Sequence, residues 1–105
     1  MDEALLCLCT CPSQTVAEDL AQRLVGEGLA ACVNIVPGLT SVYRWQGAVE
    51  TASEVLLLAK TTASRYPALE SALVAAHPYE LPEVIGVSIH SGLPGYLQWL
   101  KDSLA

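Results

Sequence analysis

The sequence predicts one α+β domain in which two helices lie against one face of a four-stranded sheet. Apolar runs typical of strands alternate with amphipathic helical patterns in the order β-α-β-β-α-β, and a short helical pattern closes the chain. The length of 105 residues suits a single domain, and 52% hydrophobic residues against 15% charged ones supply a substantial core. We therefore expect residues 1–105 to form one domain with the ferredoxin-like, split βαβ order.

The first strand and the first helix follow from the opening third of the chain. Residues 3–11 are mostly apolar and uninterrupted, which is typical of a strand buried on both faces. Apolar residues then recur at four-residue spacing over residues 16–24 and predict an amphipathic helix. We expect residues 15–18 to begin this helix as a capping box and Gly26 or Gly28 to end it.

The middle of the chain predicts a β-hairpin. Residues 30–45 indicate a long strand, which Pro37-Gly38 bends or bulges, and the next strand runs to about Thr61. Gln46-Gly47 lies between the two strands. Because glycine tolerates the positive φ of the tight turns that join hairpins, these two residues predict the turn.

The last third predicts a helix, a strand and a closing helix. Ser64 is expected to cap the second helix, which has Pro67 in its first turn and stops at Pro78. Residues 83–90 have the apolar character of a strand, and the leucines of residues 93–104 have helical spacing.

Charge and hydropathy exclude several kinds of partner. Five Lys and Arg against 11 Asp and Glu give a net charge of −6, with no basic patch that could neutralise phosphates, so we expect no nucleic acid partner. The apolar runs, such as residues 55–59, are far shorter than the roughly 20 residues of a membrane helix. We therefore expect no membrane partner and a cytoplasmic location in which the four cysteines are free thiols.

The sheet face away from the helices predicts self-association. Its residues are too apolar to remain in water, and few charges are available to cover the surface of so small a domain. We expect this face to be buried against neighbouring copies of the chain.

Three cysteines are spaced by two residues on the first strand. Cys7, Cys9 and Cys11 therefore project to one face, where a row of thiols could attract a soft metal. Same-face positions are about 6.6 Å apart, which disfavours a closed cage around one ion. Packing as small buried hydrophobic side chains is the alternative, above all for Cys7 and Cys32.

The segment of residues 77–83 combines an imidazole, a phenol and two carboxylates with two prolines that stiffen it. Such a loop is suited to binding. In the alternative interpretation, His77 only caps the end of its helix and Tyr79 packs over the joint.

Five residues predict a small-molecule cleft between subunits, namely Tyr43, Trp45, Lys60, Tyr79 and Glu80. Two rigid aromatic rings would stack on a ligand, and Lys60 would bind its carboxylate or phosphate. Alternatively, the aromatic pair stabilises an interface and Lys60 pairs with Glu80 across it. No nucleophile, phosphate-loop or zinc-protease motif occurs, so we do not expect an enzyme.

Segments along nearly the whole chain resemble the CutA divalent-cation tolerance family. They are Leu8-Cys9-Thr10, residues 29–34, residues 41–47, Lys60-Thr61, His77-Pro78-Tyr79-Glu80 and residues 96–100. The resemblance implies a ferredoxin-like protomer in a homotrimer similar to PII signal-transduction proteins. It also implies a role in the tolerance of divalent metals, copper above all.

The same resemblance implies a copper site. In bacterial relatives this site is attributed to the cysteine of an L-C-T motif and to two histidines that precede Pro-Tyr. Cys9 matches the cysteine and His77 the second histidine, whereas Ala76 occupies the place of the first. We therefore expect copper at Cys9 and His77, bound more weakly than by paired histidines unless Cys7 or Cys11 contributes. The competing function is a PII-like regulatory trimer that binds a small anionic metabolite without metal chemistry.

Overall fold

A computed structural model describes residues 2–105, so that Met1, the first residue of the expected domain, lies outside the described residues. Its helices and strands follow in the predicted order. They are β1 (Ala4–Cys11), α1 (Gln14–Gly26), β2 (Cys32–Trp45), β3 (Ala48–Thr62), α2 (Tyr66–Ala76), β4 (Val84–Ser88) and α3 (Pro94–Asp102).

The four strands form one antiparallel sheet in the order β2-β3-β1-β4. This arrangement confirms the predicted α+β, ferredoxin-like fold class with its added C-terminal helix. The core lies between the sheet and the first two helices, where the cysteines of β1 pack against Leu20 and Leu24 of α1 and Leu69 and Leu73 of α2. Burial of these apolar side chains supplies the main stabilisation of the fold.

A β-bulge divides β2 at the predicted position. Val36 pairs with Leu56 of β3, but the next pair along the ladder is Leu39 with Glu54, so that three steps of β2 match two of β3. One extra residue exchanges the two faces of a strand. Because of this exchange, the side chains of Tyr43 and Trp45 lie on the sheet face opposite the helices.

The hairpin turn is the predicted Gln46-Gly47. Both residues have positive φ, 49° for Gln46 and 83° for Gly47, as a type I′ turn requires. The turn joins β2 to β3 with Trp45 opposite Ala48. Residues 32–62 therefore form a long β-hairpin whose outer part, residues 39–54, extends past the end of β1.

The predicted helix caps were wrong at both sites. The hydroxyl of Ser13, two residues before the expected capping box, accepts the 3.2 Å hydrogen bond from the Val16 backbone N–H. Ser64 does not cap α2, which begins after Arg65 without a side-chain cap. The hydroxyl and the backbone N–H of Ser64 instead donate to the carboxylate of Asp2.

Strand and helix bounds differ from the prediction by a few residues. β2 begins at Cys32, two residues later than predicted. β4 spans only Val84–Ser88, because the ladder between β4 and β1 includes only residues Leu5 to Cys9 of β1. α3 contains Leu97 and Leu100 of the expected leucine pattern, whereas Leu93 and Leu104 lie just outside it; Leu100 is fully buried. None of the helices among residues 2–105 is long and apolar enough to cross a membrane.

The sheet face opposite α1 and α2 is aliphatic, and we call it the open face. Ladder pairing places Leu8 beside Leu58 and Ile85 on this face. Ile85 is 48% exposed and Val87 45% exposed. The single chain therefore leaves large apolar side chains uncovered where self-association was expected.

Candidate functional site

Three side chains with metal-binding atoms meet where β1 and α2 end. The sulfurs of Cys9 and Cys11 and a ring nitrogen of His77 all lie within 4.8 Å of one another, and the three residues are buried. We call this group the thiol–imidazole cluster. The side chains of the two cysteines converge more closely than the roughly 6.6 Å between same-face strand positions on which the expectation against a closed cage was based.

The imidazole of His77 is held by two hydrogen bonds. Its Nε2–H donates to the backbone carbonyl of Thr10 at 2.8 Å, and its Nδ1 accepts from the backbone N–H of Tyr79 at 3.1 Å. The Tyr79 ring lies against it with centroids 4.7 Å apart. This arrangement requires the neutral tautomer that is protonated on Nε2.

The two thiols of the cluster affect each other's ionisation. The Cys9 S–H donates to the backbone carbonyl of Thr10 at 3.8 Å. Interaction with Cys11, followed by burial, raises the pKa of Cys9. Interaction with Cys9 lowers the pKa of Cys11 against the opposing effect of burial. The Cys11 thiol is therefore the more acidic of the two.

The donor set of the cluster fits a soft or borderline metal ion. Thiolate sulfur and imidazole nitrogen are the ligands that Cu(I) and Zn²⁺ prefer. Three ligands spread evenly around one ion at 2.0 to 2.3 Å lie roughly 3.5 to 4.0 Å apart, so the three donor atoms, now within 4.8 Å of one another, would have to move closer together to bind one ion. Both ring nitrogens of His77 take part in hydrogen bonds. One of these two hydrogen bonds must therefore break before His77 can bind a metal ion.

Beside the cluster lies a groove of about 820 Å³ on the open face. Tyr43 and Trp45 of β2 form one wall, and Tyr79 and Glu80 of the loop after α2 form another. Four of the five residues predicted for a cleft thus line one surface. The bulge in β2 makes this possible because it turns both β2 aromatic rings towards the loop.

Lys60, the fifth predicted residue, is not part of this groove within one chain. It lies ten residues beyond Glu50 on β3, about 33 Å away at the usual strand rise. Its ammonium group instead donates to the side chain of Asn34 and lies 3.7 Å from the Cys32 sulfur. Only the Lys60 of another copy could join the other four residues.

Glu54 is a groove residue that the sequence analysis missed. Its side chain is nearly buried, and its Oε2 accepts a 2.7 Å hydrogen bond from the hydroxyl of Tyr79. Burial, followed by the hydrogen bond to Glu54, raises the pKa of Tyr79. The feature of the sequence that could have pointed to Glu54 is its position directly before the apolar run of residues 55–59.

Fold and cluster together define a class of protein, a small ferredoxin-like domain with a buried group of thiol and imidazole donors. A family model described as CutA1 divalent ion tolerance protein matches residues 5–103. The chain belongs to this family, which confirms the resemblance seen in the sequence.

Individual relatives agree with this assignment. The divalent-cation tolerance protein CutA of Thermus thermophilus is 50% identical over 103 residues, 98% of each chain. A CutA homolog of Xenopus laevis is 50% identical over 93 residues, which are 89% of this chain and 62% of that protein. The solved structure of the Thermus protein superimposes with a TM-score of 0.95 at 49% identity, covering 97% of this chain and 99% of that one.

Proposed function

We propose that this chain is a trimeric, cytoplasmic protein of divalent-metal tolerance that binds copper and catalyses no reaction. The observation that carries the metal role is the convergence of Cys9, Cys11 and His77 within 4.8 Å. The site expected from the resemblance, Cys9 with His77, gains Cys11 as a third donor. A third donor compensates for Ala76, which occupies the place of the second histidine.

Copper binding must release protons and open a closed site. The raised pKa of Cys9 means that its proton has to leave before the sulfur can bind metal. The three residues of the cluster are buried, so a copper ion can reach them only when the loop after α2 moves and opens a path. Affinity for copper should therefore rise with pH, and access should depend on the contacts of Tyr79.

Anaerobic competition of Cu(I) against a chromophoric chelator tests the copper site. We expect Cys9→Ser and Cys11→Ser each to weaken binding at least tenfold, and His77→Ala to weaken it less. Cys32→Ser is the matched control, because this half-buried thiol lies outside the cluster. Unchanged affinity in both cluster serine variants would rule out this assignment.

The trimer is supported by the open face. Exposed aliphatic residues in a continuous patch are typical of surfaces that pack against other subunits. Ile85 and Val87 of β4 and Val36 of β2 are such residues. Light scattering that gave three times the monomer mass would support the proposal, whereas a monomer at micromolar concentration would contradict it.

The cleft between subunits that the sequence predicted remains a second proposal. It requires the Lys60 of a neighbouring copy to approach Tyr43, Trp45, Tyr79 and Glu80. A Lys60→Glu variant that stays trimeric but no longer binds an anionic metabolite would support it.

The cytoplasmic compartment is supported by the cysteines. All four are free thiols, as is usual in a reducing compartment. A structural relative from Archaeoglobus fulgidus, 32% identical with a TM-score of 0.93, is itself described as periplasmic. Cell fractionation tests the proposal, with recovery in the cytoplasmic fraction as the expected result.

A further inference from the structure

We propose that a metal ion reaches the thiol–imidazole cluster from the helix side of the sheet, beside Ala76 and Pro78, and that the hydrogen bond between Tyr79 and Glu54 keeps this entrance closed. The proposal rests on the metal site of the proposed function, but its first test uses the metal-free protein. Three observations support it: the side of the sheet on which the cluster lies, a depression over the cluster, and the contacts that hold the loop after α2.

The cysteines of the cluster project from β1 towards the helices. Cys9 and Cys11 both belong to the core between the sheet and the helices α1 and α2. An ion that approached from the open face would have to cross the hydrogen-bonded ladders that join β1 to β3 and to β4. The sheet therefore blocks that side, whether or not other copies of the chain cover the open face.

A depression of about 250 Å³ lies on the helix side, where α1 faces the end of α2. Its lining consists of Val16, Asp19, Leu20, Arg23, Ala76 and Pro78. Leu20 belongs to the same core cluster as the two cysteines, and Val16 and Ala76 pack against that cluster. Ala76 and Pro78 are also the chain neighbours of His77 on either side. The floor of the depression is thus part of the wall around the donor atoms.

Tyr79 reaches around the end of β1 and covers the cluster there. Its ring and its backbone N–H contact the imidazole of His77, and its hydroxyl donates to Glu54 of β3 at 2.7 Å. Cys11 pairs with Val55, and both side chains lie in the core. Glu54, one residue earlier on β3, therefore projects to the opposite face of the sheet. Tyr79 thus joins the helix side to the open face across the end of a strand.

Few hydrogen bonds hold the start of this loop in place. Residues 78–82 are tied to the rest of the described chain by two hydrogen bonds, and Tyr79 donates both of them. One goes to His77 within the same segment of chain, and the other goes to Glu54 on the sheet. Segments with so few contacts open locally without unfolding of the whole domain. Loss of the hydroxyl contact alone should therefore expose the cluster more often.

Alkylation of the metal-free, assembled protein with iodoacetamide measures this opening, because a buried thiol reacts only when it becomes accessible. Fragment mass spectrometry gives a rate for each cysteine. We expect Tyr79→Phe to raise the rates of Cys9 and Cys11 about fivefold, as for the loss of one hydrogen bond. Cys7, which is equally buried on β1 but outside the cluster, reports global unfolding and should not change. Tyr96→Phe, at an exposed position of α3, is the matched control.

A larger side chain at Ala76 tests the side of entry. Ala76→Leu would fill the depression, and we expect the alkylation of Cys9 and Cys11 to slow several-fold. Ala75→Leu is the matched control, since this exposed residue of α2 does not line the depression. Val16→Leu, which fills the depression from α1, serves as the second variant if Ala76→Leu destabilises the fold.

The outcomes that would overturn the proposal are distinct. Unchanged rates at the two cluster cysteines in Tyr79→Phe, or a rise shared equally by Cys7, would show that the contact with Glu54 closes no local entrance. Unchanged rates in both Ala76→Leu and Val16→Leu would place the entrance elsewhere. The uptake of Cu(I) should be faster in Tyr79→Phe and slower in Ala76→Leu. If no copper binds while alkylation follows the expected order, the proposed function fails and the entrance stands.

Discussion

The imidazole of His77 donates its Nε2–H to the backbone carbonyl of Thr10, 67 residues earlier in the chain, at 2.8 Å. The ladder between β1 and β4 ends at the pair of Cys9 with Val84, one residue before this carbonyl. The side chain thus supplies a donor just past the point where strand pairing stops. The contact ties the end of α2 to the end of β1 and keeps the thiol–imidazole cluster closed.

Loss of this donor should destabilise the fold. His77→Ala leaves the Thr10 carbonyl without its imidazole partner, and we expect the free energy of unfolding to fall by about 1 to 3 kcal/mol. Urea unfolding at one fixed protein concentration measures it. The exposed His90→Ala is the control and should change stability by less than about 0.5 kcal/mol. Equal effects of the two variants would show that the Thr10 contact contributes nothing.

A charge on the open face should prevent assembly. Ile85→Asp would place a carboxylate among aliphatic side chains that we propose to be buried between subunits, and its desolvation opposes association. We expect light scattering to show a shift from trimer to monomer. Val74→Asp, at an exposed position of α2, should leave the mass unchanged. A trimer that persists in Ile85→Asp would place the interface elsewhere.

Gly28 should tolerate a side chain less well than Gly38. Both have positive φ, 70° and 82°, which costs a residue with a Cβ roughly 1 to 2 kcal/mol. A Cβ at Gly28 would also overlap with the Cβ of Ala105, whereas nothing lies within 4 Å of one at Gly38. We expect Gly28→Ala to lower the free energy of unfolding more than Gly38→Ala does, as measured with urea.

Deletion of Ala105 separates the two causes. In a chain that lacks Ala105, Gly28→Ala should lower the free energy of unfolding no more than Gly38→Ala does, because only the backbone strain remains. An undiminished cost would show that the contact with Ala105 is not responsible.

Stability should decline in alkali because of a buried thiol. Burial raises the pKa of Cys7 from 9.0 to about 12, so that the folded chain holds this proton more tightly than the unfolded chain. This contribution is complete below pH 9 and is lost as the pH rises towards 12. We expect Cys7→Ala to make the fall in unfolding free energy between these pH values shallower. The fall should not disappear, because burial also raises the pKa of Tyr66 to about 12, so that this phenol contributes to the same fall. A slope unchanged by Cys7→Ala would contradict this assignment.

The sequence was sufficient for the order of the elements and for the hairpin, since both depend on local patterns. Gln46-Gly47 has the chemistry of its turn whatever surrounds it. The capping of α2 was not predictable in this way. Ser64 stands at the expected cap position, but its hydroxyl and its backbone N–H donate to Asp2, 62 residues away. Competition between near and distant partners is decided by the tertiary structure.

The candidate site was only partly predictable for the same reason. Cys9 and His77 followed from the family resemblance, but the inclusion of Cys11 depends on side-chain directions that spacing does not give. The separation of Lys60 from Tyr43 follows from the register of the hairpin. The predicted turn at Gln46-Gly47 already implies that register, so this separation could have been predicted. Glu54 was missed because its hydrogen-bond partner, the Tyr79 hydroxyl, belongs to a loop 25 residues further along the chain.

X-ray absorption at the copper edge tests the central claim most directly, since it counts the sulfur and nitrogen neighbours of the bound ion. For the chain loaded with one Cu(I), we expect two sulfurs at about 2.3 Å and one imidazole nitrogen at about 2.0 Å, distances typical of such ligands. Cys11→Ser should remove one sulfur from the spectrum, and Cys32→Ser should leave it unchanged. A spectrum without sulfur neighbours, or one that loses sulfur only in Cys32→Ser, would contradict a copper site at Cys9, Cys11 and His77.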